Sequence, residues 1–589
     1  MSYRVHFIHA PDPVYQARQN FGNAYTPLWA MVIAPFIEDR ASITYDLFDT
    51  RICSEDEIGE ADAFLFSALN QDLDYMRGVA ERLKARYPKA KFAIGGPITW
   101  SFDQAGWLNE FTPFDYICIG DGELIINRLL DAVRGKSEED RVIRAPQRFN
   151  MGGSMPMDQA LLKKYVHHYY GTLLEVSRGC PFLCEFCDIR ILTDNNRAHN
   201  KDPDVIIEDL DRLANLGVKS FMLCCDNFIG EPRWAHEVAD KMIEWRERTG
   251  HRPSFFTWLT INLAQDPALM VKLRQAGFDV LFIGVESFDT NTLLEMSKVQ
   301  NRSKKFDLPE ALRQIQSYGF IVTPGLIFGF DSDTPEIFDK SLEGMEESCL
   351  LTSNPGLLVA LPGTPLYRRM KLSGRLRPLA AHIGRFKFQT NIRYLLPTET
   401  LIKGYVHFMK SSADGRHQYR RLRNYVENLE TGNFIAQEGA GYGSLAELLR
   451  NVIRNRLVLA SLSLRMGRFL LHPMRVYFVT KGLLLLLSRR KRIQNVGKLF
   501  SIWLYGWSNM VIQSGNMKPT DFDIESVQGE ITGEMILPAG YENNGEEEIP
   551  ETKKAAQIRA TTQQLRRLVK DLPPGQSKTP EQVATDSAA

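Results

Sequence analysis

The sequence predicts an α/β protein with two parallel-sheet units followed by a helical extension. Three observations predict it. Short apolar strands alternate with helices over residues 1–135. The same alternation resumes for six units between 166 and 394. After about 395 strand signals fade while helical ones continue. Strands that alternate with helices pair in parallel, because a crossover helix carries the chain back to the same edge.

In the first unit, Arg4–His9, Ala61–Ser67, Lys91–Ile94 and Tyr116–Ile119 read as strands. Leu28–Ile37, introduced by Pro27, and Asp72–Arg86 read as helices. This pattern predicts a doubly wound, Rossmann-like sheet. Ligands of such sheets sit outside the carboxyl ends of the strands. Those ends carry Ser67, Asn70, Gly95, Gly96, Gly120 and Gly122. Residues 136–165 are polar and rich in Gly and Pro, and read as a linker. In 166–394 strands are predicted at Leu173–Val176, Ser220–Cys224, Phe255–Thr260, Val280–Val285, Ile321–Phe328 and Gly356–Ala360. Six strand–helix units fit a partial (β/α)6 barrel, with its chemistry at the carboxyl ends of its strands. Residues 395–515 read as a helical C-terminal domain. Residues 516–589 read as a mostly disordered tail with a short helix near Ile558–Leu572.

Composition narrows the function classes. Lys+Arg and Asp+Glu both total 71, so net charge points to no polyanionic partner and no nucleic acid is expected. Eight cysteines in 589 residues are too sparse for a disulfide scaffold, and a tight cluster of three favours metal or redox chemistry in a reducing compartment. The start, MSYRVHFIHAPDPV, has no basic region followed by a long apolar core. Apolar runs such as Leu483–Leu487 fall far short of the roughly 20 residues that span a bilayer. A cytoplasmic protein is expected. One stretch departs from the average: Leu448 to Pro519 holds no acidic residue, while Lys and Arg recur among Leu, Phe and Trp. Residues 450–512, including Arg489-Arg490-Lys491-Arg492, therefore read as a peripheral contact with an anionic membrane at its inner face. The competing reading is helices that pack on the barrel and leave a solvated basic rim.

The strongest chemical signal is Cys180-x3-Cys184-x2-Cys187, just after the first barrel strand. Three thiolates on one loop can hold three irons of a 4Fe-4S cubane and leave the fourth iron open to a ligand. The competing reading is a structural zinc site, which needs a fourth ligand. No Cys or His lies close by in sequence, and Cys224 and Cys225 could reach only through the fold.

Further segments follow in order: Phe186 before the third cysteine, Asp226-Asn227-Phe228 after the second strand, Gly284-Val285-Glu286-Ser287 after the fourth, and Pro324-Gly325-Leu326-Ile327-Phe328-Gly329-Phe330 on the fifth. With these segments the sequence resembles the radical S-adenosylmethionine superfamily. The resemblance implies that Cys180, Cys184 and Cys187 hold the cluster and that S-adenosylmethionine binds its open iron. It implies that Phe186 packs near the adenine and that Asp226 and Asn227 meet the methionine amino group. Glu286 and Ser287 would meet the methionyl and ribose parts, and the strand of Gly325 and Gly329 would read the adenine through its backbone.

A small doubly wound domain ahead of such a barrel resembles the cobalamin-binding subgroup, over roughly residues 1–390. The matching segments are Thr26-Pro27-Leu28, Gly95-Gly96-Pro97, Gly120-Asp121-Gly122-Glu123 and Pro362-Gly363-Thr364-Pro365-Leu366-Tyr367. Within it, the sequence looks most like enzymes of the hopanoid C-2 methylase and bacteriochlorophyll methylase type. The D-x-H-x-x-G signature of other cobalamin proteins is absent, and His9 reads as structural. The resemblance implies methyl transfer to an unactivated carbon of a lipid-like isoprenoid or a tetrapyrrole. It also implies an electron donor such as flavodoxin or ferredoxin. The alternatives are a radical enzyme that cyclises, oxidises or rearranges its substrate, and a membrane-surface scaffold. A tRNA methylthiotransferase would need cluster cysteines in the N-terminal domain, where only Cys53 and Cys118 are present. No individual catalytic acid or base is assigned.

Overall fold

The computed structural model describes residues 2–13, 25–169, 171–192, 194–301, 307–377, 388–437, 467–489, 493, 496–515, 517–541 and 553–572. The first sheet has six parallel strands: β1 (Tyr3–His9), β2 (Ile43–Asp49), β3 (Ala63–Ser67), β4 (Lys91–Gly95), β5 (Tyr116–Ile119) and β6 (Val142–Arg144). Their order is β2-β1-β3-β4-β5-β6. Ala63–Phe66 of β3 and Phe92–Ile94 of β4 are buried throughout. Continuous apolar runs are what a parallel sheet covered on both faces requires. The strand order reverses between β1 and β3, so the crevice at their carboxyl ends is the ligand position of this fold.

Neither edge of this sheet is legible in the sequence. β2 carries Thr44, Tyr45 and Asp46 and buries mainly Ile43, Leu47 and Asp49, the mixed pattern of a strand with one neighbour. β6 is three residues long and lies inside 136–165, so that stretch is more than a linker. The same stretch holds helix Gln159–Tyr165, started by Asp158, whose carboxylate accepts the Leu161 N–H at 2.9 Å. Three phenols lock it to β2: Tyr45 donates to Asp158 at 2.6 Å, Tyr165 to Asp46 at 2.8 Å and Tyr169 to Asp49 at 2.6 Å.

The second sheet is also all parallel: β7 (Thr172–Glu175), β10 (Ser220–Cys224), β11 (Ser254–Leu259), β12 (Phe278–Glu286), β13 (Ile321–Phe328) and β14 (Asn354–Leu357). They stand in the order β7-β10-β11-β12-β13-β14, with no closing pair between β7 and β14 among the described residues. This is the open six-unit barrel. A short antiparallel pair, β8 (Ser177–Arg178) and β9 (His199–Asn200), frames the cysteine loop. The barrel helices start where the sequence says they should. Asp202 caps Pro203–Asn215 and Asp266 caps Pro267–Ala276, each with Pro at the first helical position.

Helices Thr398–Ser412, Gly415–Thr431, Pro473–Ser488 and Val496–Gly515 form the C-terminal extension. Leu422, Tyr425, Val426, Leu486, Trp503 and Trp507 share its core. Among the described residues of 516–589, a helix lies where the sequence predicts one, and a strand precedes it that the sequence does not announce. β16 (Asp523–Ser526) pairs in parallel with β15 (Gln389–Tyr394), and helix Lys553–Lys570 follows. Ile536, Leu537, Tyr541, Leu565 and Val569 pack into a small buried cluster. A polar average hid these sparse apolar residues, which are enough to dock a segment on an existing core.

At the carboxyl end of β1, burial pushes the His9 imidazole down to about 4, and its Nδ1 is buried. The folded chain therefore holds His9 neutral while the unfolded chain protonates it near 6.5. The unfolded state binds more protons between these values, so stability is lost as pH falls through that window. Urea unfolding should show the wild type losing about 2 kcal/mol more than His9→Gln between pH 7 and pH 5. Equal losses would mean that His9 accepts a proton in the folded state.

Candidate active site

The cysteine loop leaves β8 through Gly179, whose φ is +85° and whose Cβ position is filled by the Arg197 carbonyl. The Gly179 N–H donates to Asp226 at 2.6 Å, and the Cys180 N–H donates to the Asn195 carbonyl at 3.1 Å. A tight turn, Cys187 N–H to Cys184 carbonyl at 3.2 Å, then folds the loop back. Cys184 is buried, and Cys180 and Cys187 are half-buried.

Burial pushes the Cys180 thiol up to about 11 and holds the Cys187 thiol well above its usual range. The neighbouring Cys184 raises the Cys180 thiol further, and Asp188 and then Cys184 raise the Cys187 thiol. Such thiols ionise only against a cationic partner. Among the described residues no three His, Cys, Asp or Glu side chains converge as one metal ion needs. Cys225 instead bonds Thr257 at 3.3 Å and the Trp258 carbonyl at 3.4 Å. With Cys225 engaged elsewhere, three thiolates on one loop suit an iron–sulfur cube with one open iron rather than a structural zinc site, which needs a fourth protein ligand.

The residues that the sequence pointed to gather around this loop. Phe186 stands edge-on to Phe330 at 6.3 Å, with the Lys298 ammonium 5.9 Å from its centre. Asp226 is pushed up to about 6 by burial, and it holds the loop through Gly179. Asn227 Nδ2 lies 3.9 Å from Cys180 Sγ, while its Oδ1 is buried with no partner. Glu286 follows a register shift in β12, has φ +64°, and pairs with Lys298 at 2.6 Å. Gly284 leaves the room for that pair, since a Cβ there would collide with both charged groups. Ser287 is buried and accepts the Asp289 N–H at 3.0 Å. Gly325 faces Phe282 and Glu286.

At Gly329 the Tyr394 ring takes the Cβ position, so the missing side chain there makes room for packing. In the first sheet Ser67 and Gly95 lie opposite each other in register, Gly96 follows, and Asn70 begins the next turn. These form one group at the strand ends. Gly120 and Gly122 follow the end of β5, and Ala145 and Ile33 press on their Cβ positions, so both glycines also make room for packing.

Two arginines were not foreseen. Arg178, next to Gly179, donates to Glu175 at 2.8 Å, Asp121 at 2.9 Å and Glu123 at 2.5 Å. It ties the β5 turn of the first sheet to the root of the cysteine loop. Arg369 is fully buried and grips Glu185, the residue after Cys184, at 2.8 and 3.0 Å. It also reaches Asp331 at 2.5 Å and Glu295 at 3.4 Å. Tyr541 donates to the same Glu185 at 2.6 Å, and Arg375 donates to Asp331 at 2.6 Å and to the Met535 carbonyl at 2.9 Å. Burial, then Asp331, pushes Glu295 up to about 7. No spacing in the sequence links Glu185 to Tyr541, which lies 356 residues away.

Residues 174–343 match the radical SAM superfamily, and residues 364–503 match a domain of unknown function, DUF4070. The chain is 28% identical to the hopanoid C-2 methylase of Rhodopseudomonas palustris (strain TIE-1) over 438 residues, 72% of this chain and 79% of that protein. It is 23% identical to the bacteriochlorophyllide d C-12(1)-methyltransferase of Chlorobaculum tepidum over 249 residues, 41% of this chain and 52% of that one. Among solved structures, the cobalamin-dependent S-adenosylmethionine radical enzyme OxsB, with aqua-cobalamin and S-adenosylmethionine bound, superposes with a TM-score of 0.56. The match has 13% identity and covers 97% of this chain and 84% of that one, a likeness of fold.

Removing a buried ion's partner costs about 3–5 kcal/mol. Arg369→Met should lower unfolding stability by that amount in urea melts, because Glu185, Glu295 and Asp331 lose the cation they share. Tyr541→Phe should cost about 1.5–3 kcal/mol, the worth of one hydrogen bond to a charged group. A neutral Arg369→Met would show that the cysteine loop does not depend on this network.

Proposed function

We infer that this chain, a radical S-adenosylmethionine enzyme by its barrel and its cysteine loop, is a cobalamin-dependent C-methyltransferase acting on a lipid-like substrate of the isoprenoid kind. One observation carries the reading. Arg178 joins the β5 turn at the carboxyl end of the first sheet to the root of the cysteine loop, so the strand ends of the two sheets would open on a common space for two cofactors. Two proteins it is similar to are, by name, a hopanoid C-2 methylase and a bacteriochlorophyllide d C-12(1)-methyltransferase. When bound, the cluster supplies the electron that cleaves S-adenosylmethionine to the 5′-deoxyadenosyl radical, and cobalamin supplies a transferable methyl group.

The chain's own residues do the rest. Cys180, Cys184 and Cys187 would hold three irons and leave the fourth to the substrate side. Asp226 fixes Gly179 and with it the loop's direction. The Glu286–Lys298 pair offers one negative and one positive group to a zwitterionic amino acid moiety. Asn227 Oδ1, buried and unpartnered, is a free acceptor beside Cys180. On the first sheet, Ser67, Asn70 and Gly95 gather at the strand ends, where a broad planar ring would lie, and Gly96, with Ser67 Oγ at its Cβ position, makes the turn that brings them together. The electron comes from a small donor of the flavodoxin or ferredoxin class.

The lipid preference rests on helix Pro473–Ser488. Of twelve exposed large apolar side chains among the described residues, eight lie between Leu470 and Tyr505. Met474, Tyr477, Leu484 and Leu487 recur at helical spacing on its outward side, with Leu471 81% and Leu484 62% exposed. Lys481 joins that face, over the Tyr477 ring at 5.7 Å. An apolar face with basic neighbours and no acids lies on an anionic bilayer rather than in water. No helix among the described residues is long and apolar enough to cross one. The contact differs from the one expected from the sequence. Trp503 and Trp507 are buried in the extension's core, Arg489 pairs with Glu430 at 3.5 Å, and Arg490, Lys491 and Arg492 lie outside the described residues.

Two experiments test the reading. After anaerobic reconstitution with iron and sulfide, Cys180→Ala, Cys184→Ala and Cys187→Ala should each form no 5′-deoxyadenosine. The wild type with cobalamin and a polycyclic isoprenoid should form 5′-deoxyadenosine and S-adenosylhomocysteine together; 5′-deoxyadenosine alone would favour a radical enzyme without methyl transfer. In vesicle sedimentation, wild type should bind anionic more than neutral vesicles, and Leu471→Ser with Leu484→Ser should weaken both about tenfold or more. A wild type that ignores vesicles of either kind would leave the lipid preference without support.

A further inference from the structure

The segment after helix Thr290–Glu295 runs along the cysteine loop and belongs to none of the elements that the sequence marked. The Glu185 N–H donates to the Met296 carbonyl at 3.1 Å, which fixes the two strands of chain side by side. Ser297 has φ +58° and is bonded through its hydroxyl to Thr561 of helix Lys553–Lys570, so the C-terminal helix presses on this segment. Two polar side chains then point from it toward the thiols. Gln300 Nε2 lies 3.6 Å from Cys184 Sγ, a normal N–H···S distance, and the Gln300 side chain is buried. Lys298 is buried, sits over the Phe186 ring, and is held in place by Glu286.

A cluster bound by three thiolates gains negative charge when it is reduced. Hydrogen bonds to its sulfurs and nearby positive charge favour the reduced state, while burial opposes it. We propose that residues 296–301 form the electrostatic wall of the cluster, with Gln300 donating to the Cys184 thiolate and Lys298 supplying a buried cation, and that these two side chains set its reduction potential. The inference rests on the reading that Cys180, Cys184 and Cys187 hold a 4Fe-4S cluster. Glu286 has a second task here. It keeps Lys298 aimed at the loop, and Gly284 leaves room for the pair.

The test is an EPR-monitored redox titration of the full chain, reconstituted anaerobically, with iron and sulfide counted per chain. Gln300→Met removes the donor and keeps the volume. Lys298→Met removes the charge, and Lys298→Arg keeps it. At a fixed poise, the reduced fraction relative to the oxidised should fall about tenfold in Gln300→Met, equivalent to ~59 mV for one electron. It should fall further in Lys298→Met and stay near wild type in Lys298→Arg. If Gln300→Met takes up no iron, the two Lys298 variants decide. A wild-type chain that takes up no iron would refute the cluster reading itself. Iron-loaded Gln300→Met and Lys298→Met with the wild-type potential, or Lys298→Arg and Lys298→Met shifted alike, would overturn the wall.

Discussion

The loop that carries the three thiols is held by two arginines. Arg178 anchors the loop where it begins and Arg369 anchors it where it turns, each through several carboxylates. Both charge groups are largely out of water, so their hydrogen bonds are strong and their geometry is specific. The rest of the molecule is arranged by what these side chains reach. Through Asp121 and Glu123, Arg178 brings the first sheet to the barrel. With its neighbour Arg375, Arg369 draws in residues 535–541 from the far end of the chain. A loop built for a reactive group is thereby fixed by three parts of the sequence that are distant from one another.

Much of this was legible beforehand, for physical reasons. Parallel strands covered on both faces must be apolar along their length, so β3, β4, β12 and β13 announce themselves. The cysteine spacing carries its chemistry in the residues themselves. Edge strands do not announce themselves, because one side meets solvent and their apolar residues thin out, as in β2 and β6. Pairing across long separations is also silent. β16 finds β15 from 129 or more residues away, and nothing local in 523–526 marks it as a strand. Within the site, the packing task of some glycines is silent in the sequence. Gly120, Gly122 and Gly329 make room for Ala145, Ile33 and Tyr394. Lys298 and Gln300 were missed because a polar residue in a loop has no periodicity to betray it.

The C-terminal extension joins chemistry to location. Its inner side packs Trp503, Trp507 and Leu486 into a common core, while the outer side of helix Pro473–Ser488 stays apolar and basic. A helix apolar on both sides needs a second apolar neighbour, and in the function proposed above that neighbour is an anionic bilayer surface. A substrate that resides in that surface would then meet the chain beside the barrel that acts on it. Segments that follow the extension reach the cysteine loop through Tyr541 and the 296–301 segment through Thr561.

A shared chamber for two cofactors is the claim on which the functional reading turns. EPR of the holoenzyme, with the cluster reduced and cobalamin in its Co(II) state, measures it most directly. Spin–spin interaction between the two centres, lost in Arg178→Met while both cofactors stay bound, is the expected result. Two independent spectra in the wild type would contradict it.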